Sequence, residues 1–562
     1  MSRLSSIGKP GGTDERDTNF FVDPARTSVN LTGVVARRSP HPTNHTMTLW
    51  LLGNQLSIDA APLANTDEVL LIESYEFAER LPYHPYKLTL VFSAMRHFRD
   101  RLRADGYDVT YIRAESFAEG LAEYAAAAPG DDLVLQRPTG HRAGERLDEL
   151  AADAGLTLTV VDNDLFVTSR DEWDEWADGR GDSYRQEHWY RHVRRETGVL
   201  MDDGDPVGGE WNYDDENQET PPDDWSPPET AGFQPDELTR EVHAFVTDRY
   251  DHLWGNHDLD EFCWPVTREE ALQALERFVE VRLPAFGPYQ DAMVGGEWAM
   301  DHSLLSPAIN LGLLDPLAVV EAVEDAYEER GVASGAPAEA VTREGTIPLN
   351  SAEGFVRQIL GWREFMRHVY RESMPELSEA NQLDATRDLP ELYYSGETEM
   401  ECMSEAVGHV WDRGYAHHIE RLMLLANFST LYGADPHELD EWFRFAFVDA
   451  YDWVTTPNTV GMGSFATDVL SSKPYTSSAN YVNRMSDHCS SCKYYHTKTT
   501  GDGACPFNAL YWDFLKENEE TLRGTGRMGL MYNHVDNKSD EEWTEIRERA
   551  DDVRAMARAE EL

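Results

Sequence analysis

Between Met47 and about Asp164 the sequence alternates short apolar runs with amphipathic helical patterns, and no other feature constrains the fold as strongly. The runs are MTLWLL, EVLLIES, KLTLVFSAM, DVTYIRA, DLVLQRP and LTLTVVDND. Strands that alternate with helices predict a parallel sheet covered by helices on both faces, as in Rossmann-like α/β domains. Ligands of such sheets bind beyond the carboxyl ends of the strands. Asn54, Gln55 and Glu73 occupy such ends, although a loop residue without a ligand is the more common explanation for each one.

The chain divides into five regions by composition and periodicity. Residues 1–46 are rich in Ser, Gly, Pro and Thr and predict a disordered extension, with an upstream start codon and Met47 as the true start as the alternative. The α/β domain is expected over residues 47–200. Residues 201–232 form an acidic connector with eleven acids, five prolines and no Lys or Arg. Residues 233–523 are almost wholly helical in pattern. Residues 524–562 predict a charged C-terminal tail whose helix is solvated.

The net charge of the chain is strongly negative, with 103 Asp and Glu against 49 Lys and Arg and a formal charge of −54. This excess is typical of surfaces adapted to a salty cytoplasm, and an acidic interaction surface is the alternative. At molar salt the Debye length shrinks to about 3 Å, so the acidic charge does not exclude a nucleic-acid partner. We find no apolar run of membrane-spanning length and no signal peptide. We therefore expect a halophilic, cytoplasmic and monomeric protein with reduced thiols and no membrane partner.

Three of the five cysteines form the pattern Cys489-x2-Cys492-x12-Cys505. A tetrahedral thiolate site needs a fourth soft ligand, and Cys402 in GETEMECM can supply it from a preceding helix. Four thiolates suit either a zinc ion or a 4Fe-4S cluster, and the spacing leaves both open. Cys263 in DEFCWP is predicted to be a buried thiol outside this site.

The segment around the cysteine motif is basic although the chain is acidic. Between positions 469 and 501 four cations stand against the single acid Asp487, a local charge of +3 (4 − 1). The cations are Lys473, Arg484, Lys493 and Lys498, and the tyrosines between them are Tyr475, Tyr481, Tyr494 and Tyr495. This pattern suits a surface that grips phosphates and stacks on unpaired bases, with cations at helix ends as the alternative. Arg363, Arg367 and Arg371, at i, i+4 and i+8, predict a second basic stripe.

Two adjacent histidines, His417 and His418, occur in the helical segment YAHHIERLM. A single histidine there would most simply be a core residue, but two in succession cannot face the same way. At least one of them can point into a cleft and act as a proton donor. The later helix LDEWFRFAFVDAYDWV is crowded with aromatic residues, including Trp442 and Phe443, which usually indicates a buried core.

Taken in order, segments along the chain closely resemble a known family. WLLGNQL, FSAMRHF, PVGGEWNYDDENQE, FGPYQDAM, HSLLSPAINLGLLDP, EGFVRQILGWREF, YAHHIERLM, PNTVGM, KPYTSSANYVNRMSDHCSSC and CPFNALYW are similar to the prokaryotic iron-sulfur (6-4) photolyases and bacterial cryptochromes, the deoxyribodipyrimidine photolyase-related group. The resemblance runs from about Met47 to the region of His534. It implies the photolyase/cryptochrome fold, with an α/β antenna domain and a large all-α domain that holds FAD and a 4Fe-4S cluster.

The resemblance also implies roles for individual residues. It matches the cluster ligands to Cys402, Cys489, Cys492 and Cys505, which turns the metal prediction from zinc to iron-sulfur. It implies contacts with FAD for Ser303, Ser306, Gln358, Trp362, Arg363, Asn458, Gly461 and Met462. It implies that the lesion lies beside His417 and His418, and that the substrate cleft contains Tyr475 and Tyr481. The residues expected near a lumazine antenna, 6,7-dimethyl-8-ribityllumazine, are Asn54, Gln55 and Glu73.

Two departures from the family concern electron transfer to the flavin. In the relatives the aromatic chain has Trp at the position of Tyr394 and Tyr at the position of Phe443, while Trp442 is retained. The resemblance therefore implies that electrons reach the flavin through Tyr394 and Trp442. Phenylalanine is much harder to oxidise than tyrosine. Photoreduction is therefore expected to be slower or to follow another route.

The activity that the resemblance implies is light-driven repair of (6-4) pyrimidine photoproducts in UV-damaged DNA, a lyase reaction that uses an electron from reduced FAD. One alternative is a cryptochrome-like blue-light receptor of the same fold, because the same flavin chemistry can drive a conformational change. A second alternative is a light-independent iron-sulfur module that binds nucleic acid. It explains the cysteines and cations but not the flavin-like segments.

Overall fold

The structure is a computed structural model, and it describes residues 47–129, 131–180, 184–222, 225–336, 345–525 and 528–562. The disordered extension predicted over residues 1–46 lies outside the described residues. The described residues belong to one compact unit.

A parallel sheet of five strands forms the N-terminal part of the fold, which confirms the α/β prediction. The strands are β1 (Met47–Leu51), β2 (Glu68–Ser74), β3 (Asp108–Ala114), β4 (Asp132–Gln136) and β5 (Thr157–Val161). Their order is β3-β2-β1-β4-β5, and every neighbouring pair is parallel. The order reverses between β1 and β4, which is where doubly wound sheets bind ligands.

Helices cover both faces of the sheet. The first helices in chain order are α1 (Pro85–Ala104), α2 (Phe117–Ala127), α3 (Ala143–Asp153), α4 (Arg170–Ala177), α5 (Gln186–Thr197) and α6 (Glu237–Arg249). α1 belongs to the apolar cluster on one face, and α2 and α3 belong to the cluster on the other face. The strand predicted at KLTLVFSAM is wrong, because these residues form the first half of α1. They are buried almost all round since α1 lies between the sheet and α6, so no polar face marks the helical period.

The carboxyl edge of the sheet faces the helical part of the protein. After β1 the Leu56 N–H donates to the Leu311 carbonyl at 2.8 Å, and after β2 the His84 N–H donates to the Phe445 carbonyl at 2.9 Å. Lys87 on α1 is buried, and its ammonium donates to two backbone carbonyls of the helical part at 2.6 Å each. Burial lowers the pKa of Lys87 to about 7. Because the carboxyl edge of the sheet contacts the helical part, a ligand at the strand ends would lie between the sheet and the helical part.

The arginines of the predicted second stripe join the two parts, so the prediction of a basic surface stripe is wrong. Arg363 donates to the Leu165 carbonyl at 2.8 Å, and Arg367 donates to the Thr168 carbonyl at 2.7 Å. Arg371 pairs with an acid of α4. Spacing along a helix cannot distinguish a face that meets solvent from a face that meets another part of the same chain.

The helical part confirms the prediction of helices after residue 233. Its further helices are α7 (Arg268–Arg277), α8 (Leu283–Tyr289), α9 (Ser306–Leu311), α10 (Pro316–Arg330), α11 (Leu349–Val356), α12 (Glu364–Ser373), α13 (Leu392–Ser395), α14 (Glu401–Arg413), α15 (Asn427–Tyr432), α16 (Pro436–Ala446), α17 (Asp452–Thr456), α18 (Ala479–Met485), α19 (Pro506–Glu517), α20 (Glu519–Leu522), α21 (Gly529–Asp536) and α22 (Asp540–Arg558). Within the described residues, π-helical segments occur at Phe278–Arg282, Arg357–Arg363, Glu420–Ala426 and Pro457–Gly463.

Short elements complete the described structure. β6 (Met201–Asp202) and β7 (Asp205–Pro206) form an antiparallel hairpin, and β8 (Gly331–Val332) pairs in parallel with β9 (Ile347–Pro348). Single 3₁₀ turns occupy Ala61–Asn65, Val207–Gly209, Asp214–Glu216, Leu259–Glu261, Glu376–Glu379 and His488–Ser490. Among the described residues, no helix combines the length and the apolar character needed to cross a membrane.

The prediction that the C-terminal helix is solvated is wrong. α22 packs against α19, and its buried residues are Trp543, Ile546, Arg549, Ala550, Val553, Arg554 and Ala557. Arg554 pairs with the buried Asp513 of α19 at 2.6 Å. The apolar residues recur at steps of three and four, a stripe that the high charge of the segment conceals.

Candidate functional site

Three π-helical segments, Arg357–Arg363, Glu420–Ala426 and Pro457–Gly463, form the framework of the candidate site. The second segment packs against the third, and α12, which continues the first segment, also packs against the third. π-helical turns are rare and are frequent at functional sites. Six residues predicted to contact FAD lie on the first and third segments: Gln358, Trp362, Arg363, Asn458, Gly461 and Met462. The segments that the resemblance singled out are thus neighbours in space.

The loop before α9, which carries Ser303, has an unusual backbone. Met300 and Leu304 adopt φ values of +45° and +59°, in the left-handed region that non-glycine residues rarely occupy. Such conformations persist where the surrounding structure enforces them, and they cluster at binding sites. Between them, Asp301 is buried, and neither of its carboxylate oxygens has a hydrogen-bond partner among the described residues. Burial raises the pKa of Asp301 to about 7, against the lowering effect of Arg282.

Asp449 connects this loop to the second π-helical segment. Its carboxylate accepts the Ser306 hydroxyl at 2.6 Å and two bonds from Arg421 at 3.1 and 3.0 Å. The side chain of Asn310 donates to the Asp449 carbonyl at 3.0 Å. Neither Asp449 nor Arg421 was predicted, since an acid and a base 28 positions apart give no sequence pattern. Arg421 lies in YAHHIERLM, a segment that carries the resemblance, whereas Asp449 lies outside those segments.

A cluster of imidazoles surrounds His417. The His417 ring stacks on the His302 ring with centroids 4.7 Å apart and an interplanar angle of 12°. His417 Nε2 lies 3.5 Å from one Glu420 oxygen, and His409 Nδ1 lies 3.0 Å from the other. His302 also meets the ring of His418 edge-on at 5.2 Å. His302 was missed because it stands more than a hundred positions before the histidine pair.

The imidazoles of this cluster differ in the direction in which their pKa is shifted. It lowers the pKa of His417 well below its ordinary value, and the neighbouring His302 lowers it further. The pKa of His302 falls for the same reason, with His418 as the next cause. Burial also lowers the pKa of His409, but the charge and hydrogen bond of Glu420 raise it more, so the net shift is upward. His417 is therefore neutral at neutral pH, whereas Glu420 favours the charged form of His409.

His418 faces solvent beside a second group of residues. Its side chain is 47% exposed, against 0% for His417, and its Nε2 lies 3.4 Å from Asp291 Oδ1. Tyr481 on α18 is half-buried, and burial followed by the charge of Asp291 raises its pKa. The guanidinium of Arg484 lies 5.4 Å from the Tyr481 ring centroid. The structure thus brings one predicted histidine and one predicted tyrosine to the same acid.

Tyr475, the other predicted cleft tyrosine, is half-buried in the segment that precedes α18. Asn427, at the end of the second π-helical segment, holds this stretch through Ser477. Asn427 Nδ2 donates to the Ser477 carbonyl at 3.1 Å, and the Ser477 N–H donates back to Asn427 Oδ1 at 3.0 Å. The segment that carries Tyr475 is therefore fastened next to the framework of the site.

The basic segment between positions 469 and 501, called the basic window from here on, places cations next to tyrosine rings. Lys498 lies 4.3 Å from the Tyr495 ring centroid, and Tyr495 is 58% exposed. Tyr494 is buried instead. Lys493 forms an ion pair with Glu399. One exposed aromatic ring and several cations thus remain at the surface, as a nucleic-acid contact requires.

Four cysteines line one small cavity. Cys402 comes from α14, and the other three, Cys489, Cys492 and Cys505, come from the segment between α18 and α19. Burial raises the pKa of the Cys489 and Cys505 thiols to about 11 and about 12. Within the described ranges, no three or more His, Cys, Asp or Glu side chains are arranged to hold a metal ion. The cysteines surround a space and do not meet at one point.

The predicted antenna residues lie at the carboxyl ends of β1 and β2, and two of them are buried and bonded within the protein. Gln55 is 1% exposed, and its Nε2 donates to the Gln136 carbonyl at 2.9 Å, across the point where the strand order reverses. Glu73 is fully buried and accepts two bonds from Arg96 at 2.9 and 2.7 Å. Asn54 is half-buried next to Gln55.

The aromatic helix places Trp442 in the core and connects it to solvent. Trp442 is fully buried, and its ring centroid lies 6.0 Å from that of Trp254. Trp254 lies 5.1 Å from Trp411, which is 40% exposed. The ring of Tyr394 stacks on Phe445 at 6.4 Å. Neither Trp254 nor Trp411 was predicted, because they stand 157 positions apart in unrelated segments (411 − 254).

Comparisons with known proteins agree with this architecture. The family described as deoxyribodipyrimidine photo-lyase-related protein matches residues 49–264. A (6-4) photolyase of Agrobacterium fabrum is 40% identical over 494 residues, which cover 86% of this chain and 94% of the relative.

Two solved structures share the fold. A class III photolyase from Agrobacterium tumefaciens has a TM-score of 0.54 at 16% identity, over 93% of this chain and all of that one. A Synechocystis cryptochrome has a TM-score of 0.50 at 14% identity, over 76% of this chain and 84% of that one. At such low identity these two establish the photolyase/cryptochrome fold alone. Because the similarity to the Agrobacterium fabrum protein spans nearly the full length of both chains, this chain belongs to the bacterial (6-4) photolyase family.

Proposed function

We propose that this protein repairs (6-4) pyrimidine photoproducts in DNA by light-driven electron transfer. The observation that carries the proposal is the histidine pair, in which a buried neutral imidazole lies next to a solvent-facing one that an acid orients. The 40% identity to a (6-4) photolyase supports the same reaction. A base with a photoproduct is poorly stacked and is extruded from the duplex at low cost, so it can reach this exposed position.

The residues present fit FAD as the cofactor. Asp301 Oδ1 and Oδ2, His302 Nε2 and Ser464 Oγ are buried without a hydrogen-bond partner in the described part of the chain. Such groups are rare in folded proteins, and a ligand with hydroxyl, amide and phosphate groups would supply their missing partners. They adjoin the segments proposed to hold the flavin through Ser303, Ser306, Gln358, Trp362, Arg363, Asn458, Gly461 and Met462. When bound, reduced and excited by light, FAD supplies the electron for repair.

His418 is the better proton donor of the pair. The return of the hydroxyl group between the two bases of the lesion requires a proton at the lesion. His417 is buried and neutral, and it stacks on His302. A neutral, enclosed imidazole is a poor proton donor to the lesion. His418 is half-exposed, and the Asp291 carboxylate at 3.4 Å orients its ring toward the cleft side of the pair. Tyr481 and Arg484 then line the mouth where the DNA strand would lie.

A 4Fe-4S cluster is proposed for the cavity of Cys402, Cys489, Cys492 and Cys505. The donor set fits, because four thiols from two distant segments surround one enclosed space. A zinc ion would hold all its thiolates at about 2.3 Å from a single point, whereas a cluster fills the space between them. Bound there, it would fasten α14 to the segment that carries the basic window.

A lumazine antenna is proposed at the carboxyl ends of β1 and β2, near Asn54, Gln55 and Glu73. The carboxyl end of β1 adjoins the switch point between β1 and β4, where this fold class binds ligands, and this edge of the sheet faces the helical part. Gln55 and Glu73 would act through their fixed backbone and packing, since their side chains are already bonded. Acid denaturation of the purified protein should release 6,7-dimethyl-8-ribityllumazine together with FAD. Release of FAD alone would contradict the antenna proposal.

The test of the function is illumination of the reduced protein with an oligonucleotide that carries one (6-4) photoproduct. Restoration of intact thymines is expected in blue light and not in the dark, at molar salt, where the negative charge of the surface is screened and DNA can approach. Chromatography of the digested oligonucleotide measures the product. No restoration in light, with flavin bound, would favour the light-receptor alternative. Purified protein without flavin would favour the light-independent nucleic-acid-binding module.

We also propose that electrons reach the flavin along Trp442, Trp254 and Trp411 and not through Tyr394. Each ring in this series contacts the next, the last one meets solvent, and an added thiol can reduce it there by one electron. Trp411→Phe is expected to slow flavin photoreduction by about tenfold or more, since phenylalanine is not oxidised under these conditions. Flavin absorbance under blue light measures the rate, and transient absorption of oxidised tryptophan identifies the donor.

Tyr394→Phe is the matched variant for this route, because it removes the other candidate donor near the same surface. It should leave the photoreduction rate nearly unchanged. If Tyr394→Phe stops photoreduction and Trp411→Phe does not, the route through Tyr394 that the sequence predicts is correct and the tryptophan route is wrong.

A further inference from the structure

A cationic cavity lies on the sheet side of the protein, and two of its lining residues, Arg96 and Tyr111, bond to Glu73 at the end of β2. Its volume is about 320 Å³, at the lower end of the range of small-molecule sites. The residues that line it are Arg96, Arg99, Arg103, Tyr111, Arg113, Leu238 and Glu241. No part of the repair reaction accounts for it.

The concentration of arginine in this cavity is unusual for such a chain. Lys and Arg together make up 49 of 562 residues, about one in eleven, yet four of the seven lining residues are arginines. The same chain has 103 acidic residues, so partners for isolated arginines are abundant elsewhere on its surface. Gathering like charges in one small space costs free energy unless an anion offsets it.

Three elements of the fold build the cavity. The helix α1 contributes positions 96, 99 and 103, which share one helical face. The edge strand β3 contributes Tyr111 and Arg113, two positions apart and so on one face of the sheet. The start of α6 closes the cavity with Leu238 and Glu241. The arginines therefore converge from two directions on a space between packed elements.

Two of the arginines are engaged by acids of the protein. Arg96 is buried and bound by both oxygens of Glu73, at 2.9 and 2.7 Å. Arg99 makes two bonds to Asp100, both at 2.8 Å, and its guanidinium lies 4.9 Å from the Tyr111 ring centroid. These two residues shape the floor of the cavity and retain little capacity for a ligand.

The other two arginines keep most of their donors. Arg103 donates one bond, from Nη2 to the Val109 carbonyl at 3.0 Å. The side chain of Arg113 has no hydrogen bond or ion pair with any residue in the described ranges. Glu241, the acid in the lining, is 74% exposed and is 4.0 Å from Arg96. Two exposed guanidinium groups thus face the cavity without an acid of their own.

We propose that this cavity binds a small phosphorylated molecule of the nucleotide class. The planar fork of arginine binds phosphate oxygens in pairs, and the donors that Arg103 and Arg113 keep available suit a diphosphate better than a single carboxylate. The Tyr111 ring and the Leu238 side chain give the cavity an apolar wall, which suits the base of a nucleotide. The site binds its ligand whether or not light is present, so the proposal is independent of the repair reaction.

Calorimetric titration of the flavin-containing protein tests the proposal with ADP, inorganic pyrophosphate and adenosine. ADP and pyrophosphate are expected to bind, and adenosine is not. The double variant Arg103→Gln, Arg113→Gln should weaken ADP binding by about tenfold or more, because it removes the charge-assisted bonds. Both side chains are exposed, so the core should be unaffected, and thermal melting checks this.

Arg142→Gln is the matched control, because Arg142 belongs to the same part of the chain, is 71% exposed and lies outside the cavity. It should bind ADP as the unmodified protein does. Equal ADP binding by the double variant would overturn the proposal, since the nucleotide would then occupy another site, such as that of the flavin. The proposal would also be overturned if neither ADP nor pyrophosphate bound to the protein. So would a loss of affinity for duplex DNA in the double variant without ADP binding, because the arginines would then contact DNA.

Discussion

Replacing His418 with alanine is expected to lower the rate of (6-4) repair by about a hundredfold or more, because a positioned proton donor contributes about 10²–10⁴ to such reactions. His418 is the exposed member of the pair and the one that Asp291 orients, at 3.4 Å. His417 is enclosed and its pKa is well below the ordinary value, so it cannot take over the proton. The measurement is the amount of intact thymine restored per unit of light, with the flavin content determined in the same sample.

His252→Ala is the control for this variant. His252 is 39% exposed and lies 3.9 Å from Asp251, so it resembles His418 in exposure and in its acidic neighbour. Its loss should leave the repair rate unchanged. Full repair by His418→Ala would make the assignment of the proton donor wrong. Loss of flavin from His418→Ala would mean that the residue supports the cofactor and does not act on the lesion.

The strands of the parallel sheet could be predicted because each one carries its own hydrophobic pattern in the sequence. DVTYIRA and EVLLIES are apolar, bounded by polar turns, and correspond to β3 and β2 residue for residue. KLTLVFSAM could not be assigned in the same way. It is buried against both the sheet and α6, so its apolar run has no period that distinguishes helix from strand.

The spacing of the cysteines and the adjacency of the histidines singled out these residues in the sequence itself, and the resemblance added the segments expected to contact FAD. Neither separated the roles of His417 and His418. That difference depends on burial by His302 and on Asp291, both distant in sequence. The π-helical register of the framework is equally invisible, because it depends on which carbonyl each N–H chooses within a helix. Tertiary packing determines these features, and a local sequence pattern does not predict tertiary packing.

Replacing Cys505 with alanine is expected to prevent binding of the proposed iron-sulfur cluster and to destabilise the protein strongly. The cysteine lies at the start of α19, and its thiol is one of four around a single cavity. A metal centre that joins distant segments contributes its binding free energy to folding, about 10–16 kcal/mol for small structural zinc domains. Loss of one ligand should therefore release α14 from the basic window. Iron analysis should fall from about four atoms per chain to none, with loss of the visible cluster absorbance.

Cys263→Ala is the matched control for this prediction, since Cys263 is the one cysteine outside the cavity. Burial raises its pKa to about 11, so it shares the environment of the other thiols without their position. Its loss should leave iron content and melting temperature close to those of the unmodified protein. If Cys505→Ala does not fold, metal analysis of the unmodified protein still decides the question. One zinc per chain and no iron would make the cluster proposal wrong. It would mean that the four thiolates close on a single ion, as the cysteine spacing alone allows.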